Sequence, residues 1–506
     1  MANLRGLGVT VFLAGSASLA TEMGASRLVA PYFGSSNVVW ANVIGLMLAF
    51  LALGYWLGGR VADARPERGV LALILLASAL LLATTPFAAR PLLRVALHGF
   101  NALSIGIVLG SFVGVLVLFV LPVTLMGAVS PFAVRLAISD VTEAGRVAGR
   151  LYALSTVGSI LGTFAAALFA IPLVGTQRTL LGAAALLAVA AVPLAPRRAL
   201  AVALVVAAAA ALPPGGIKSS SGVIWEGESR YGYLRVVQYA DGSRALQENE
   251  GIADQSLWYP HSVLTGGYWD QFQVLPRLLV RPPRNALVLG NAGGTVSRAL
   301  AHFYPGVRVD GVELDPLVTS AGRRFLGLRE TNGVRTITAD ARVFLASTHR
   351  RYDVIVVDAY RQPYIPFQLA TEEFFRLVRD HLTPGGVVAL NVAAIPTDRT
   401  LTEDVGTTLA TAFPQVWRWS ALRFSDVLFA FRTRRSRGGL LRRAGLVAPA
   451  LRPLVPLFRR ELTQLEPHGS AWTDDRAPVE WVTDRMLAEQ IARGQGLDEQ
   501  PLPTEP

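Results

Sequence analysis

Seven apolar runs in the first 213 residues constrain this chain more than any other feature. Backbone placed in hydrocarbon must satisfy its own N–H and C=O groups, so such runs have to be helical. Those near 8–29, 38–58, 69–88, 103–126, 150–173 and 178–195 are long enough to cross about 30 Å of hydrocarbon, and a shorter one lies near 199–213. Residues 1–213 therefore read as a multi-pass helical membrane domain. The first run is no cleavable signal peptide, because it carries Glu22 and Arg27 and further spans follow at once. Gly15, Ser16, Ser18, Gly54, Gly58, Gly158 and Gly162 would let helices approach closely. An ionisable side chain at membrane depth is costly without a partner or a wet cavity, so Glu22 is either a functional group or half of an ion pair with Arg27 or Arg60.

Arginines set the orientation. The loops around Arg60, Arg65 and Arg68, around Arg135, Arg146 and Arg150, and at Arg197-Arg198 would share one face, which the positive-inside rule makes cytoplasmic. Seven crossings would leave the rest of the chain outside. A domain that uses a nucleotide cofactor belongs where the cofactor is made, which predicts an inner-membrane protein with a cytoplasmic C-terminal domain and one crossing fewer within 178–213.

The mean hydropathy of +0.41 comes almost wholly from this first part. With no cysteine, disulfides, thiolate metal sites and cysteine nucleophiles are excluded, and six scattered histidines give no zinc-binding spacing, so no metal is expected. The net charge of +11 lies on arginines bordering apolar helices rather than on a basic-aromatic strip, which points to a lipid bilayer and away from nucleic acid.

After a Pro-, Gly- and Ser-rich linker at 214–222, short alternating runs predict a small β subdomain with a connecting helix over 223–282. Strands and helices then alternate over 283–431, with strands at 286–290, 307–313, 334–338, 352–358 and 386–392, and two late runs at 415–420 and 426–431 that could add an antiparallel edge. That alternation predicts a Rossmann-like α/β domain of the class I methyltransferase type, with ligands at the carboxyl ends of its strands.

Asn285 to Thr295 is the most informative stretch of this half. Gly290, Gly293 and Gly294 form a turn between a buried strand and a helix whose first N–H groups are free to meet a ligand, and Glu313, ending the next strand, is placed to accept hydrogen bonds from ribose hydroxyls. The strand ending at Val357 delivers Asp358 to its open end, as a base or amine anchor or else as a helix cap. Asp340-Ala341 is a weaker candidate for the adenine amino group, with a helix N-cap the alternative for Asp340. Residues 432–460, rich in arginine and leucine, read as an interfacial amphipathic element on anionic lipid or as a solvated insertion, within a C-terminal segment 432–506 whose last residues, 498–506, are expected to be disordered.

From about residue 229 to 392 these motifs resemble the spermidine synthase family of polyamine aminopropyltransferases, in the form fused to an N-terminal membrane domain. Gly290 to Thr295 is similar to its glycine loop, Val312 to Pro316 to the strand carrying the ribose-binding acid, Asp340-Ala341 to its adenine-reading pair, and Val357-Asp358 to the start of its catalytic motif. Ser229-Arg230-Tyr231 resembles its Ser-x-Tyr, Gln255 its glutamine after the hairpin, and Tyr268-Trp269-Asp270 its Tyr-His-Glu segment. The resemblance implies that Asp358 and Tyr268 are catalytic. It implies that Gly290, Gly293, Gly294, Glu313, Asp340, Ala341 and Gln255 bind decarboxylated S-adenosylmethionine or S-adenosylmethionine. It also implies that Tyr231, Trp269, Asp270, Tyr360 and Arg361 face a small amine acceptor, and it leaves room for a homodimer. Three departures stand out: Gly232 after Ser-x-Tyr, Trp269 after Tyr268, and Arg361 where the family has a second acid that would attract a dicationic diamine.

Three functions are consistent with these residues. An aminopropyltransferase would release methylthioadenosine. A methyltransferase, or another S-adenosylmethionine-consuming enzyme with a non-polyamine acceptor, fits Arg361 better. A nucleoside-sensing domain gating a membrane transporter would give Glu22 and the bundle a use.

Overall fold

In the computed structural model the described residues are 2–34, 36–100, 106–196, 200–218, 220–251, 253–330, 333–360, 364–492 and 502–503. They form two compact units, one of residues 1–221 with 226–233, the other of residues 222–225 with the chain from 234 onward.

The first unit is helical: α1 (Ala2–Phe33), α2 (Asn37–Ala64), α3 (Arg68–Phe100), α4 (Gly106–Ala137), α5 (Ala144–Phe164), a π-helical turn at Ala165–Ala170, α6 (Ile171–Val174), α7 (Thr176–Ala191) and α8 (Leu200–Ala211). Five of its helical stretches are long and apolar enough to cross a membrane, and α7 and α8 are shorter apolar helices. Glycines set the closest approaches. A Cβ on Gly54 would lie 2.1 Å from the Thr124 carbonyl oxygen of α4, and one on Gly158 2.1 Å from that of Phe12 in α1, so neither helix pair admits a side chain there. Large apolar side chains such as Leu48, Trp56, Leu121 and Leu173 are exposed on the outer surface, as acyl chains would require.

Two sequence expectations change in this unit. Neither arginine pairs with Glu22: Arg27 donates to the Ser229 carbonyl, and the Arg60 guanidinium stacks on Trp56, 3.8 Å from the ring centre. Glu22 is half-buried and makes no ion pair among the described residues. Nor does the chain skip a pass along the bundle within 178–213. Thr10 near the start of α1 donates to the Ala190 carbonyl at the end of α7 (3.2 Å), whereas Tyr32 at the end of α1 donates to the Ile217 carbonyl beyond α8 (2.6 Å). The chain must therefore return through α8 to the far end of the bundle. The Arg135–Asp63 pair (3.1 Å) joins the last turns of α2 and α4 at the opposite end, so the arginine-rich loops and the chain's exit lie at opposite ends of this unit.

The second unit opens with a four-stranded sheet of sequential order, β1 (Val223–Glu228), β2 (Tyr233–Gln238), β3 (Arg244–Glu248) and β4 (Asp254–Trp258), the first strand shared with the helical unit. After α9 (Tyr268–Phe272) come β5 (Asn285–Leu289), α10 (Thr295–Phe303), β6 (Arg308–Glu313), α11 (Pro316–Phe325), β7 (Val334–Thr338), α12 (Ala341–Ser347), β8 (Tyr352–Val357), α13 (Glu372–Asp380) and β9 (Leu382–Ala393). The chain ends with α14 (Thr400–Ala410), β10 (Val416–Trp419), β11 (Ser425–Phe431), α15 (Arg437–Ala444), α16 (Leu454–Glu461), β12 (Leu462–Leu465) and α17 (Val479–Ala492). The eight-stranded sheet runs β12-β10-β11-β9-β8-β5-β6-β7, parallel from β9 to β7 and antiparallel beyond β9. This is the expected Rossmann-like fold. Strand alternation sends Ala286 and Val288 into one core and Leu287 and Leu289 into the other, which is why the central strands are apolar on both faces. The order reverses between β5 and β8, opening a crevice at their carboxyl ends.

The arginine-rich segment departs from both of its sequence readings. Leu440, Ala444, Val447, Leu451, Leu454 and Phe458 are buried in the α/β core, Phe458 sits edge-on to Trp419 (4.8 Å between ring centres), and β12 pairs with β10. Most of its leucines are taken up by the domain's own core, and Leu446 alone among them is exposed. Of the tail 498–506, all but Leu502 and Pro503 lie outside the described residues.

Candidate active site

The glycine loop is held by its neighbours. The N–H groups of Gly290 and Asn291 both donate to the Val312 carbonyl (2.9 Å each), Gly293 N–H donates to Ser256 Oγ on β4 (2.7 Å), and Ala292 N–H donates to Glu313 Oε2 (2.9 Å). Gly290 and Gly294 have φ of +85° and +89°, and Gly294 immediately precedes α10. A Cβ on Gly290 would lie 2.4 Å from the Asp358 carbonyl oxygen, so this glycine brings the loops after β5 and β8 into contact. Glu313 also accepts from Asp315 N–H (3.0 Å). Burial raises its carboxyl above the usual range, and these two N–H groups pull it back.

Asp358 stands at the end of β8. It is half-buried, with Oδ1 sealed from solvent and without a hydrogen-bond partner of ordinary geometry among the described residues, while Oδ2 accepts from the Tyr268 hydroxyl (3.1 Å). Burial pushes its carboxyl up to about 8, against the opposing pull of the Tyr268 hydroxyl, the Asn391 amide and the Trp269 indole. Tyr268 and Trp269 lie ring to ring (4.5 Å between centres), and the Tyr360 hydroxyl donates to the Asn391 carbonyl. Burial, with the Asp358 charge second, holds both tyrosine hydroxyls well above their usual range, so they act as donors.

Other sequence candidates fall in different places. Asp340 caps α12, its Oδ1 accepting from the N–H groups of Arg342 (2.9 Å) and Val343 (3.0 Å), with Ala341 buried as the first helical residue. Gln255 is half-buried on β4 beside Ser256. Asp270 is the clear misplacement. It is buried, and its carboxylate accepts from Thr265 N–H (3.0 Å), Thr265 Oγ1 (3.0 Å) and Gly266 N–H (2.8 Å), so it closes the loop before α9 instead of facing an acceptor. Tyr231 falls in the helical unit, and Arg361 lies outside the described residues. Among the described residues no group of three or more His, Asp or Glu side chains could hold a metal ion.

Tyr364, a candidate with Tyr268 and Tyr360 for lining the acceptor pocket, donates to Asp484 on α17 (2.5 Å). Two residues of the site escaped the sequence reading. Asn291 is buried in the glycine loop, accepting from Ser297 and covering Gly311. Asn391 sits on β9 beside Asp358. Its signal was available, as the single polar side chain in the apolar run from Val387 to Ile395.

Residues 268–422 match the family model described as the spermine/spermidine synthase domain. Over 190 residues, 37% of this chain and 42% of the relative, the sequence is 37% identical to a probable polyamine aminopropyl transferase of Bifidobacterium longum. Over 195 residues, 36% of this chain and 62% of the relative, it is 31% identical to a polyamine aminopropyltransferase of Vibrio vulnificus. The chain thus spans less than two thirds of the length of either. Among solved structures, a probable spermidine synthase from Corynebacterium glutamicum aligns over 53% of this chain and 94% of its own at 16% identity, with a TM-score of 0.36. Glycine loop, strand-end acids and family match fall in one stretch of sequence, and this chain therefore carries a spermine/spermidine synthase domain.

Proposed function

We propose that this protein is a membrane-bound aminopropyltransferase that uses decarboxylated S-adenosylmethionine as donor to a small amine and releases methylthioadenosine. The observation that carries this reading is the Asp358–Tyr268 pair at the mouth of the β5/β8 crevice, directly against Gly290 of the glycine loop. The loop and Glu313 would hold the nucleoside, and Asp340 and Ala341 its adenine. The acceptor nitrogen attacks the carbon bonded to the donor's sulfonium; an N–C bond forms, the C–S bond breaks, and its electron pair stays on sulfur as a neutral thioether. The protein's task is to align the nucleophile, exclude water and take the amine's proton, which would pass to Asp358. A carboxyl held near 8 suits that role, because it ionises in the range where part of a bound amine is already neutral.

Asp270 is turned into its own loop and Arg361 stands in place of the family's second acid, so the acceptor side offers little to a dicationic diamine. That favours an acceptor with one amine and an uncharged or anionic far end, and it is also the observation that favours the second reading, methyl transfer to a non-polyamine acceptor. The donor half is tested by Glu313→Ala. Losing both the ribose contact and the tether to Ala292 should weaken methylthioadenosine binding by about 10- to 100-fold in calorimetry, the worth of one or two charge-assisted hydrogen bonds, with Glu313→Gln intermediate. Unchanged affinity in Glu313→Ala would remove Glu313 from the donor site.

The donor's cytoplasmic origin supports an inner-membrane enzyme with its catalytic unit in the cytoplasm. Because the chain leaves the helical unit opposite the arginine loops, that placement sets those loops outside, against the positive-inside tendency. A chain without cysteine makes the test clean. In intact cells an impermeant maleimide should label Glu67→Cys and spare Ser220→Cys, and the reverse pattern would put the catalytic unit outside.

A further inference from the structure

Among the described residues Asp358 Oδ1 is buried without a partner of ordinary hydrogen-bond geometry, and a donor stands next to it. Val357 is in register with Leu390, so Asp358 and Asn391 are side by side where β8 and β9 open into the crevice. Asn391 is buried, and its side chain is held from the far side: on the neighbouring strand β11, the Ser425 hydroxyl donates to Asn391 Oδ1. With its carbonyl end occupied by Ser425, the amide turns its NH2 toward Asp358 and the Tyr268 hydroxyl, and it is not free to swing round. The Asn391 backbone carbonyl is also engaged, by the Tyr360 hydroxyl, which fixes the strand end. Among the described residues the titratable groups facing Asp358 are the hydroxyls of Tyr268 from α9 and Tyr360 from its own loop. From the β5 side the Gly290 backbone approaches it.

We propose that Asn391, oriented by Ser425, is the positioning residue for Asp358 and supplies the hydrogen bond that Oδ1 lacks when the acceptor amine is bound. Hydrogen bonds of this kind are often long in an empty site and tighten around substrate. In that state Tyr268 holds one carboxylate oxygen, Asn391 the other, and the remaining lone pairs point at the amine. A donor to the ionised form lowers a carboxyl's pKa, so the pair also keeps Asp358 from being locked in its protonated form by burial. The inference rests on the proposed role of Asp358, and its test must separate the two.

Asp358 protonation can be followed by infrared difference spectroscopy against Asp358→Asn, alongside pH profiles of kcat/KM. The wild-type midpoint should lie near 8. Asn391→Leu should raise it by about one unit and cut kcat about 10-fold below that midpoint. Ser425→Ala should raise it by a smaller step, Ser425→Thr should restore it, and methylthioadenosine affinity should stay within about 2-fold in all three, because none touches the donor half. Should Asn391→Leu fold poorly, the Ser425 pair carries the test alone. A midpoint unmoved in both Asn391→Leu and Ser425→Ala overturns the inference. Midpoints that move as expected in a protein that transfers nothing to any amine uphold the positioning and overturn the proposed reaction.

Discussion

Asp358→Asn is expected to abolish transfer, leave nucleoside binding within about 3-fold, and raise the melting temperature. Loss of a positioned general base costs about 10²- to 10⁴-fold, and asparagine keeps the contact with the Tyr268 hydroxyl while accepting no proton. The stability change follows from the carboxyl's upward shift. Its folded value, about 8, exceeds the ordinary 3.8 of a free aspartate, so between those limits the native state must hold a proton that the unfolded chain releases. The resulting cost is absent below about pH 4, grows as pH rises and levels off above about 8. Removing the carboxyl should return on the order of 3 kcal/mol at the alkaline end, after discounting for the solvent that reaches a half-buried residue. Calorimetric scans should therefore show a larger gain in melting temperature at pH 8 than at pH 5. An equal gain at both, or turnover that survives, would remove Asp358 from the centre of this account.

Gly290→Ala should be the most damaging single methyl addition in the α/β unit. With φ at +85° an alanine is strained by about 1–2 kcal/mol before any contact is made. Its Cβ would also meet backbone, 2.4 Å from the Asp358 carbonyl oxygen and 2.5 Å from Ala359 Cα, so the loops after β5 and β8 must separate. Both the nucleoside loop and Asp358 move, and we expect methylthioadenosine affinity to fall by more than about 100-fold. Gly306→Ala is the control. Its φ is +89° but nothing lies within 4 Å of the added carbon, so it should cost about 1 kcal/mol of stability and leave binding untouched. Equal effects of the two substitutions would show that backbone strain, rather than the approach to Asp358, makes Gly290 matter.

What the sequence disclosed, and what it hid, follows from how far apart the interacting residues lie along the chain. The strand-to-helix alternation is local, so the run from Asn285 to Ser347 and the strand-end positions of Glu313, Asp340 and Asp358 were legible, as were the late strands that became β10 and β11. Asp270 and Asp358 look alike in sequence, both acids beside aromatics. Only the fold shows that Asp270 meets three donors from Thr265 and Gly266, while Asp358 Oδ1 meets none of ordinary geometry among the described residues. The leucines between residues 437 and 460 have the spacing of a lipid-facing stripe, and nothing local distinguishes lipid from the aromatic core around Trp419 and Phe429 that covers most of them. Ser425 with Asn391, and Tyr364 with Asp484, are brought together only by sheet register and by a C-terminal helix that local periodicity does not place. The membrane half was legible as helices but not as topology, because Tyr32 and Ile217 decide the direction of the last crossing from 185 residues apart.

The most direct test is the nucleoside left behind. Purified full-length protein, incubated with a set of monoamine and diamine acceptors and either decarboxylated or intact S-adenosylmethionine, would be analysed by mass spectrometry. Methylthioadenosine should form from the decarboxylated donor, only with an amine present, and should be absent in Asp358→Asn. S-adenosylhomocysteine from the intact donor, or no nucleoside product with any acceptor, would contradict the proposed aminopropyl transfer.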